Sequence, residues 1–162
     1  MKAILQISLL LAFIMTFDFS ANSRPMAHWP YEKLTAEADL IVIATPISVK
    51  DTGRKTELPE GFRRTGEDNV RRPIPAIEME ATFEVLSVLK GEESNETFIF
   101  HYLREESPPK EPFANGAGLV SFDPREKNRY LLFLKREATG GYSSLTGQID
   151  PDHGMMQLGT YP

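Results

Sequence analysis

Apolar and polar residues alternate along 76–103, and this pattern predicts a hairpin of two β-strands. A period of two is typical of a strand with one buried face and one face in water. After Val85 the phase slips by one residue, which predicts a β-bulge that bends the strand. The apolar positions of the first arm are Ile77, Met79, Ala81, Phe83 and Val85.

Two other segments are apolar on both faces, which predicts strands covered on both sides. Residues 40–43 (LIVI) form a continuous apolar run in a strand expected at 39–50, and 129–135 (RYLLFLK) form another. Pro46 cannot donate to a β-ladder, so it predicts a bulge, a bend or an edge. A short helix is expected at 31–38, packed on the sheet because two turns are not stable alone in water.

Short strands are also expected at 118–122 and 142–146, whereas 147–162 is expected to be irregular. The chain then has five or six strands and one short helix, so the sequence predicts an all-β fold. Bent antiparallel strands with apolar groups on both faces bury them most simply by closing into a small OB-like barrel. Two polar segments, 51–75 and 105–117, are broken by prolines and are expected to be long loops. The length suits a single barrel domain at 24–162.

The amino-terminal segment 1–23 has the pattern of a secretory signal peptide. Lys2 precedes an apolar run of about 15 residues, and Ala21 and Ser23 supply small side chains before a cleavage site. A membrane anchor is the alternative, but a bilayer span needs roughly 20 apolar residues. The sequence therefore predicts a secreted or periplasmic protein with no membrane anchor after signal cleavage.

Composition narrows the choice of partners. The chain has a formal net charge of −5 and no cysteine. Nucleic-acid binding depends on positive charge that displaces counterions, so no nucleic-acid partner is predicted. Without disulfides, the domain is expected to rely on its hydrophobic core. The sequence contains no phosphate-binding glycine loop and no Gly-x-Ser-x-Gly elbow, so no cofactor and no serine nucleophile are predicted.

Five motifs occur along the chain: 38–44 (ADLIVIA), 83–85 (FEV), 88–91 (VLKG), 129–134 (RYLLFL) and the pair Gly141-Tyr142. Together they resemble a group of exported, mostly uncharacterised bacterial proteins. Those proteins are similar in outline to the OB-like barrel of tissue inhibitors of metalloproteinases and of netrin-like modules. The resemblance implies a secreted barrel whose loops meet a partner. The inhibitors chelate their target's zinc through an amino-terminal cysteine, which this chain lacks.

Candidate binding residues come from the segment 51–75 and from the polar face of the second strand. The arginines of the segment suggest an anion site, whereas the acidic residues between them favour a solvated loop. OB-type barrels bind through the face of strands two and three and the loops beside it. The candidates are Arg54, Arg63, Arg64, Arg71, Arg72, Thr82 and Glu84.

Asp150, Asp152 and His153 form a second candidate set, either as metal ligands or as the base for a catalytic water. A solvated turn explains them equally well, because the donor set is smaller than that of a closed metal site. His101 is expected to be half-buried at the core rim with one hydrogen bond. Its aromatic neighbours are expected in the core, and a base-stacking platform is their alternative. These neighbours are Phe98, Phe100 and Tyr102.

Three functions agree with these patterns. The first is an exported, non-enzymatic interaction module, inhibitor-like, that binds a protein through its loops. The alternative is an envelope β-barrel that binds a glycan or another small ligand. The third is an envelope hydrolase that uses His153 with Asp150 or Asp152.

Overall fold

The computed structural model describes residues 28–65, 70–107, 118–148 and 152–160. The predicted signal peptide and most of the predicted loop 105–117 lie outside the described residues. A membrane-spanning helix is absent from the described part of the chain. The elements are α1 (Tyr31–Glu37), β1 (Leu40–Thr65), β2 (Val70–Lys90), β3 (Thr97–Glu105), β4 (Asn128–Arg136), β5 (Tyr142–Ser144) and β6 (Met155–Thr160), with 3-10 turns at Pro124–Glu126 and Asp152–Gly154.

Five strands form a ring in the order β1, β2, β3, β5 and β4, and β4 pairs back onto β1. The sixth strand, β6, pairs along the first half of β4. This arrangement confirms the predicted small, barrel-like all-β fold with one short helix. One detail differs: β3 and β5 are parallel, and their pairing consists of Phe100 opposite Tyr142.

An aromatic cluster fills the ring, with Phe83 at its centre. The Phe83 ring is fully buried, and its centroid lies 5.4 Å from that of Phe98, 5.9 Å from Phe100 and 5.0 Å from Phe122. Tyr102 is buried in the same cluster. The alternation along 76–103 therefore predicted the inward face correctly, and the aromatic residues of β3 belong to the core.

Bulges bend β1 and β2 where the sequence predicted irregularity. Ile43 lies opposite Ser87 and Ala44 opposite Val85, so one residue of β2 is left over just after Val85. Pro46 lies opposite Phe83, and the register slips again before Ser48. A bulged strand coils more strongly, which lets these long strands curve around a narrow barrel.

The helix α1 explains why β1 and β4 are apolar on both faces. Leu34 is fully buried and packs with Ala38, Ile41 and Phe133 in a second cluster on the outside of the ring. One face of each strand therefore points into the barrel and the other lies under α1. The sequence-predicted helix is confirmed and ends one residue earlier than expected.

The motif 88–91 joins β2 to this helix. The Lys90 ammonium donates to the carbonyls of Thr35, Ala36 and Ala38, at 2.6, 3.1 and 2.7 Å. These are carbonyls at the helix end that lack a partner within the helix, so a cation is favourable there.

Gly91 turns the chain away at a φ of +85°. A Cβ atom at this position would come within 2.3 Å of the Asp39 carbonyl oxygen. Only glycine fits both the backbone angle and the close approach. Lys90 and Gly91 therefore have a structural role.

The expectation of a long loop at 51–75 is wrong for the described residues of that segment, which belong to β1 and β2. Pairing continues from Lys55 opposite Ile77 to Thr65 opposite Val70. Prolines are tolerated because this ribbon lies beyond the end of β3, so its outer edges face no further strand of the six-stranded sheet. Register shifts accommodate the irregular residues.

The carboxyl-terminal region also differs from expectation. Residues 118–122, predicted as a short strand, are not a strand, whereas 155–160, predicted as irregular, form β6. The sequence of β6 (MMQLGT) lacks a clear alternation, and its pairing depends on the free edge of β4. The predicted strand that begins at Tyr142 is confirmed, although it ends at Ser144.

Candidate functional site

The most distinctive surface is the two-stranded ribbon formed by 57–65 of β1 and 70–75 of β2, here called the arm. Its base is held by a small hydrophobic cluster that is separate from the barrel core. Leu58, Ile74 and Ala76 are buried there, with Leu103 and Leu119 packed against them. The arm is therefore attached to a fixed base.

Ion pairs from β1 to β2, to β3 and to the residue that follows β3 lie beside this base. Arg54 Nε lies 2.7 Å from Glu78 Oε2, and Arg104 Nη2 lies 2.8 Å from Asp51 Oδ2. Lys55 pairs with Glu106. Each cation is paired with a carboxylate, and we call these three ion pairs the charge ladder. Because their charges cancel, the charge ladder does not form an anion site.

The electrostatics agree with this assignment. The pKa of Asp51 is lowered by a hydrogen bond from the backbone N–H of Gly53 and then by Arg104. The pKa of Lys55 is raised by its hydrogen bond to Glu106. Both residues therefore keep their charges around neutral pH, and Arg54, a predicted binding residue, belongs to the same ladder.

The four remaining candidate arginines lie in the distal arm. In the strand register, Arg63 is opposite Arg72 and Arg64 is opposite Arg71. Like charges directly opposite each other destabilise a strand pair. The backbone register therefore brings four arginine positions together as two adjacent cross-strand pairs.

Thr82 and Glu84 lie elsewhere, on the outer face of β2 in the barrel. Thr82 is half-buried between Ser48 and Ile99 in the register, and Glu84 is exposed. Ile99 is 45% exposed, so this face presents a mixed apolar and acidic surface. The structure thus divides the predicted binding set into two surfaces.

Sequence analysis did not predict the dyad of His101 and Glu137. The Nδ1 atom of His101 lies 2.6 Å from Glu137 Oε2, and both side chains are about one-third exposed or less. His101 is half-buried as expected, but its partner comes from the turn between β4 and β5. No local pattern links residues this far apart in the chain.

This dyad supports the shortest pairing in the ring. Because β3 and β5 share one paired position, side chains supply much of the closure. Gln148 Nε2 donates to the His101 carbonyl at 3.1 Å. Gly141, at a φ of +80°, lets the turn approach closely, since a Cβ there would lie 2.9 Å from the Ile99 carbonyl oxygen. The dyad therefore has a clear structural role.

A second set of side chains lies at the other end of the junction between β3 and β5, here called the seam. The Tyr142 hydroxyl donates to Glu93 Oε2 at 2.9 Å, and the Arg136 guanidinium lies 4.7 Å from the centroid of the Tyr142 ring. Burial by itself raises the pKa of Glu93, but hydrogen bonds from the Asn95 backbone and from Tyr142 bring it below its ordinary value. Burial and Glu93 raise the pKa of Tyr142.

The described residues do not test Asp150, Asp152 and His153 as a metal site. Asp150 lies outside the described residues, and the backbone of Asp152 begins the 3-10 turn before β6. Among the described residues, no group of three His, Asp or Glu side chains is placed to hold a metal. His153 instead contacts the rings of His28 and Tyr31, with centroids 5.1 and 5.3 Å away.

The comparisons with known proteins add no family to this geometry. No protein-family model, no curated protein and no solved structure matches the chain. The resemblance to inhibitor-like and netrin-like barrels stays a prediction, and function has to be argued from the described residues.

Proposed function

We propose that the protein is an exported, non-enzymatic interaction module that binds a protein partner through the arm. The observation that carries the proposal is the length of β1 and β2 beyond the end of β3. From Glu57 opposite Pro75 to Thr65 opposite Val70, the ribbon extends past the barrel. Export rests on the signal-peptide pattern of 1–23.

The base of the arm supports a role in recognition. Leu58 is 3% exposed and Ile74 is 8% exposed, and they bury each other at the point where the ribbon leaves the sheet. A ribbon held in this way loses less conformational entropy on binding than a free loop. Extended edges also offer backbone groups to which a partner can add a strand.

The register of the distal arm supports an acidic partner surface. Two adjacent cross-strand pairs consist of arginine alone: Arg63 with Arg72, and Arg64 with Arg71. Like charges at opposed strand positions are unfavourable, a carboxylate-rich partner offsets such charges, and arginine binds carboxylates with two parallel hydrogen bonds. Binding is then expected to weaken as salt concentration rises.

The alternative functions have less support. Rings fill the barrel interior, and the aromatic residues of β3 that would stack on a sugar are buried. A glycan would therefore rely on the outer face of β2 and β3. The described residues do not test a hydrolase built on His153 with Asp150 or Asp152, because Asp150 and the Asp152 side chain lie outside them.

The test is site-specific photo-crosslinking in native extract, with the mature chain 24–162. A crosslinker at Glu57, exposed on the arm, is expected to capture a partner that the same group at Lys135 on β4 does not. A variant in which 60–72 are replaced by an Asn-Gly turn keeps Leu58 and Ile74 and is expected to lose the crosslink.

Two controls decide the outcome. The shortened variant is expected to melt within a few degrees of the parent, because the replaced residues leave the described core intact. Substituting the four distal arginines with serine is expected to weaken capture at least tenfold. Equal capture by the parent and the shortened variant would remove the arm from the proposal.

A further inference from the structure

Two histidines from distant parts of the chain meet on the surface beside α1. The His28 and His153 rings make an edge-to-face contact, with centroids 5.1 Å apart and planes at 84°. The Tyr31 ring lies against His153, and its hydroxyl donates to Met156 Sδ at 3.1 Å. We call His28, Tyr31, His153 and Met156 the histidine cluster.

Three separate elements build the histidine cluster. His28 immediately precedes α1, and Tyr31 begins it. His153 belongs to the 3-10 turn before β6, and Met156 is the second residue of β6, paired with Leu131 of β4. The backbone of each element is therefore held by the fold, so the side chains are brought together by tertiary structure.

The donor atoms of this cluster are those of a soft transition-metal site. Neutral imidazole is the commonest protein metal ligand, and methionine thioether selects copper in its lower oxidation state. Two nitrogens bound to one ion at about 2.0–2.1 Å lie roughly 3.3 Å apart in tetrahedral geometry. Ring centroids 5.1 Å apart are close enough for one nitrogen of each imidazole to bind the same ion once the rings rotate out of the edge-to-face contact.

We propose that the histidine cluster binds one copper ion, with His28 and His153 as the principal ligands and Met156 as an additional soft ligand. Copper forms the most stable complexes with nitrogen ligands among the first-row divalent ions, and the thioether adds affinity for Cu(I). Tyr31 acts as a positioning residue, because its ring lies against His153 while its hydroxyl donates to the Met156 sulfur.

Solvent access agrees with this assignment. His28 and Tyr31 are exposed, whereas His153 and Met156 are half-buried. An ion can therefore reach the cluster from solution, while the ligands on β6 and its preceding turn sit on a rigid base. The site differs from the predicted oxygen-rich set of Asp150, Asp152 and His153, because its donors are nitrogen and sulfur.

The experiment is a titration of the mature chain 24–162 with Cu(I) and, separately, Cu(II), each against a competing chelator. The parent is expected to bind one ion. His28→Ala and His153→Ala are each expected to weaken binding at least tenfold, and Met156→Leu is expected to weaken Cu(I) binding more than Cu(II) binding. The matched control is His101→Ala, which removes the remaining histidine and is expected to leave copper affinity unchanged.

NMR and electron paramagnetic resonance spectra of the parent chain test the site without any variant that could fold incorrectly. Cu(I) is expected to shift the NMR signals of the His28 and His153 rings in the parent chain, while the His101 signals stay in place. Electron paramagnetic resonance of the Cu(II) form is expected to show coupling to two imidazole nitrogens. Unchanged affinity in His28→Ala or His153→Ala, or shifts confined to His101, would overturn the site. Equal affinity for zinc, with no effect of Met156→Leu, would overturn the assignment to copper.

Discussion

The barrel and the arm are continuous along β1 and β2, yet different interactions hold them together. In the barrel, Phe83 is fully buried among aromatic rings from β3 and from the segment before β4. At the arm, Leu58 and Ile74 are buried at the base, beside ion pairs whose side chains are largely exposed. Exposed ion pairs contribute little to stability.

This difference predicts that one pair of strands contains two regions of unequal stability. Apolar burial is the main source of folding free energy, so the barrel part is expected to open only with global unfolding. The base of the arm, which is held by one small hydrophobic cluster, is expected to open locally at lower cost. Along β1 and β2, the side chains therefore change from a buried core in the barrel to a small cluster and ion pairs at the base of the arm.

The largest predicted effect concerns the barrel. Phe83→Ala is expected to lower the free energy of unfolding by about 3–5 kcal/mol, because it removes a fully buried ring and leaves a cavity. Urea unfolding followed by circular dichroism measures the loss. The matched control is Glu84→Ala at the adjacent exposed position, for which about 0.5 kcal/mol or less is expected. Equal losses in the two variants would show that the inward face of β2 is misassigned.

An intermediate effect is predicted at the base of the arm. Leu58→Ala is expected to cost about 2 kcal/mol, the lower end for a buried leucine, because the small cluster can collapse around the deletion. Hydrogen exchange is the measurement. Amides near Thr56 and Ala76 are expected to exchange roughly 30-fold faster, whereas those of Ala81 and Phe100 keep their protection.

The control for the arm is Glu57→Ala, the exposed neighbour of Leu58. It is expected to leave exchange in both regions unchanged. If Leu58→Ala accelerated exchange equally at Phe100 and Ala76, the arm and the barrel would form one cooperative unit, contrary to the comparison drawn above.

The smallest predicted effect is the pH dependence of stability. The pKa of Glu93 and that of Asp51 lie below their ordinary values, and Arg125 lowers the pKa of Asp123 to about 2. A carboxyl with a lowered folded-state pKa stabilises the fold above its unfolded-state pKa. This stabilisation is lost as pH falls through the folded-state value. Stability is therefore expected to decline from about pH 5 to pH 2, measured by urea unfolding.

One variant assigns part of this decline to the seam between β3 and β5. Tyr142→Phe removes the hydroxyl that donates to Glu93, so the pKa of Glu93 is expected to rise. A carboxyl NMR titration measures the change. An unaltered titration of Glu93 in this variant would show that the hydroxyl contributes nothing to the charge state at the seam.

Local patterns predicted much of the barrel. The alternation around Phe83 gave the correct inward face, and the phase slip after Val85 located a bulge. Local patterns were wrong about 51–75, because proline and charge are typical of loops and also of a ribbon with free edges. The strand β6 was missed because it forms on an edge that β4 provides.

Candidate chemistry was harder to predict than the fold. Arg54 was identified, but its role in the charge ladder depends on Glu78 from another strand. The arginines of the distal arm were identified as two sequence pairs, whereas the structure pairs them across the strands. Charge in a sequence indicates which residues are polar, and only strand register determines which charges face each other.

The sequence by itself determined which residues of the hairpin enter the core, because side-chain direction in a strand follows a period of two that neighbouring residues already show. Tertiary structure alone decided the contacts between distant residues: Lys90 with the end of α1, His101 with Glu137, and His28 with His153. These contacts depend on how the ring closes. Ring closure follows from the burial of many side chains together, and no single segment of the chain encodes it.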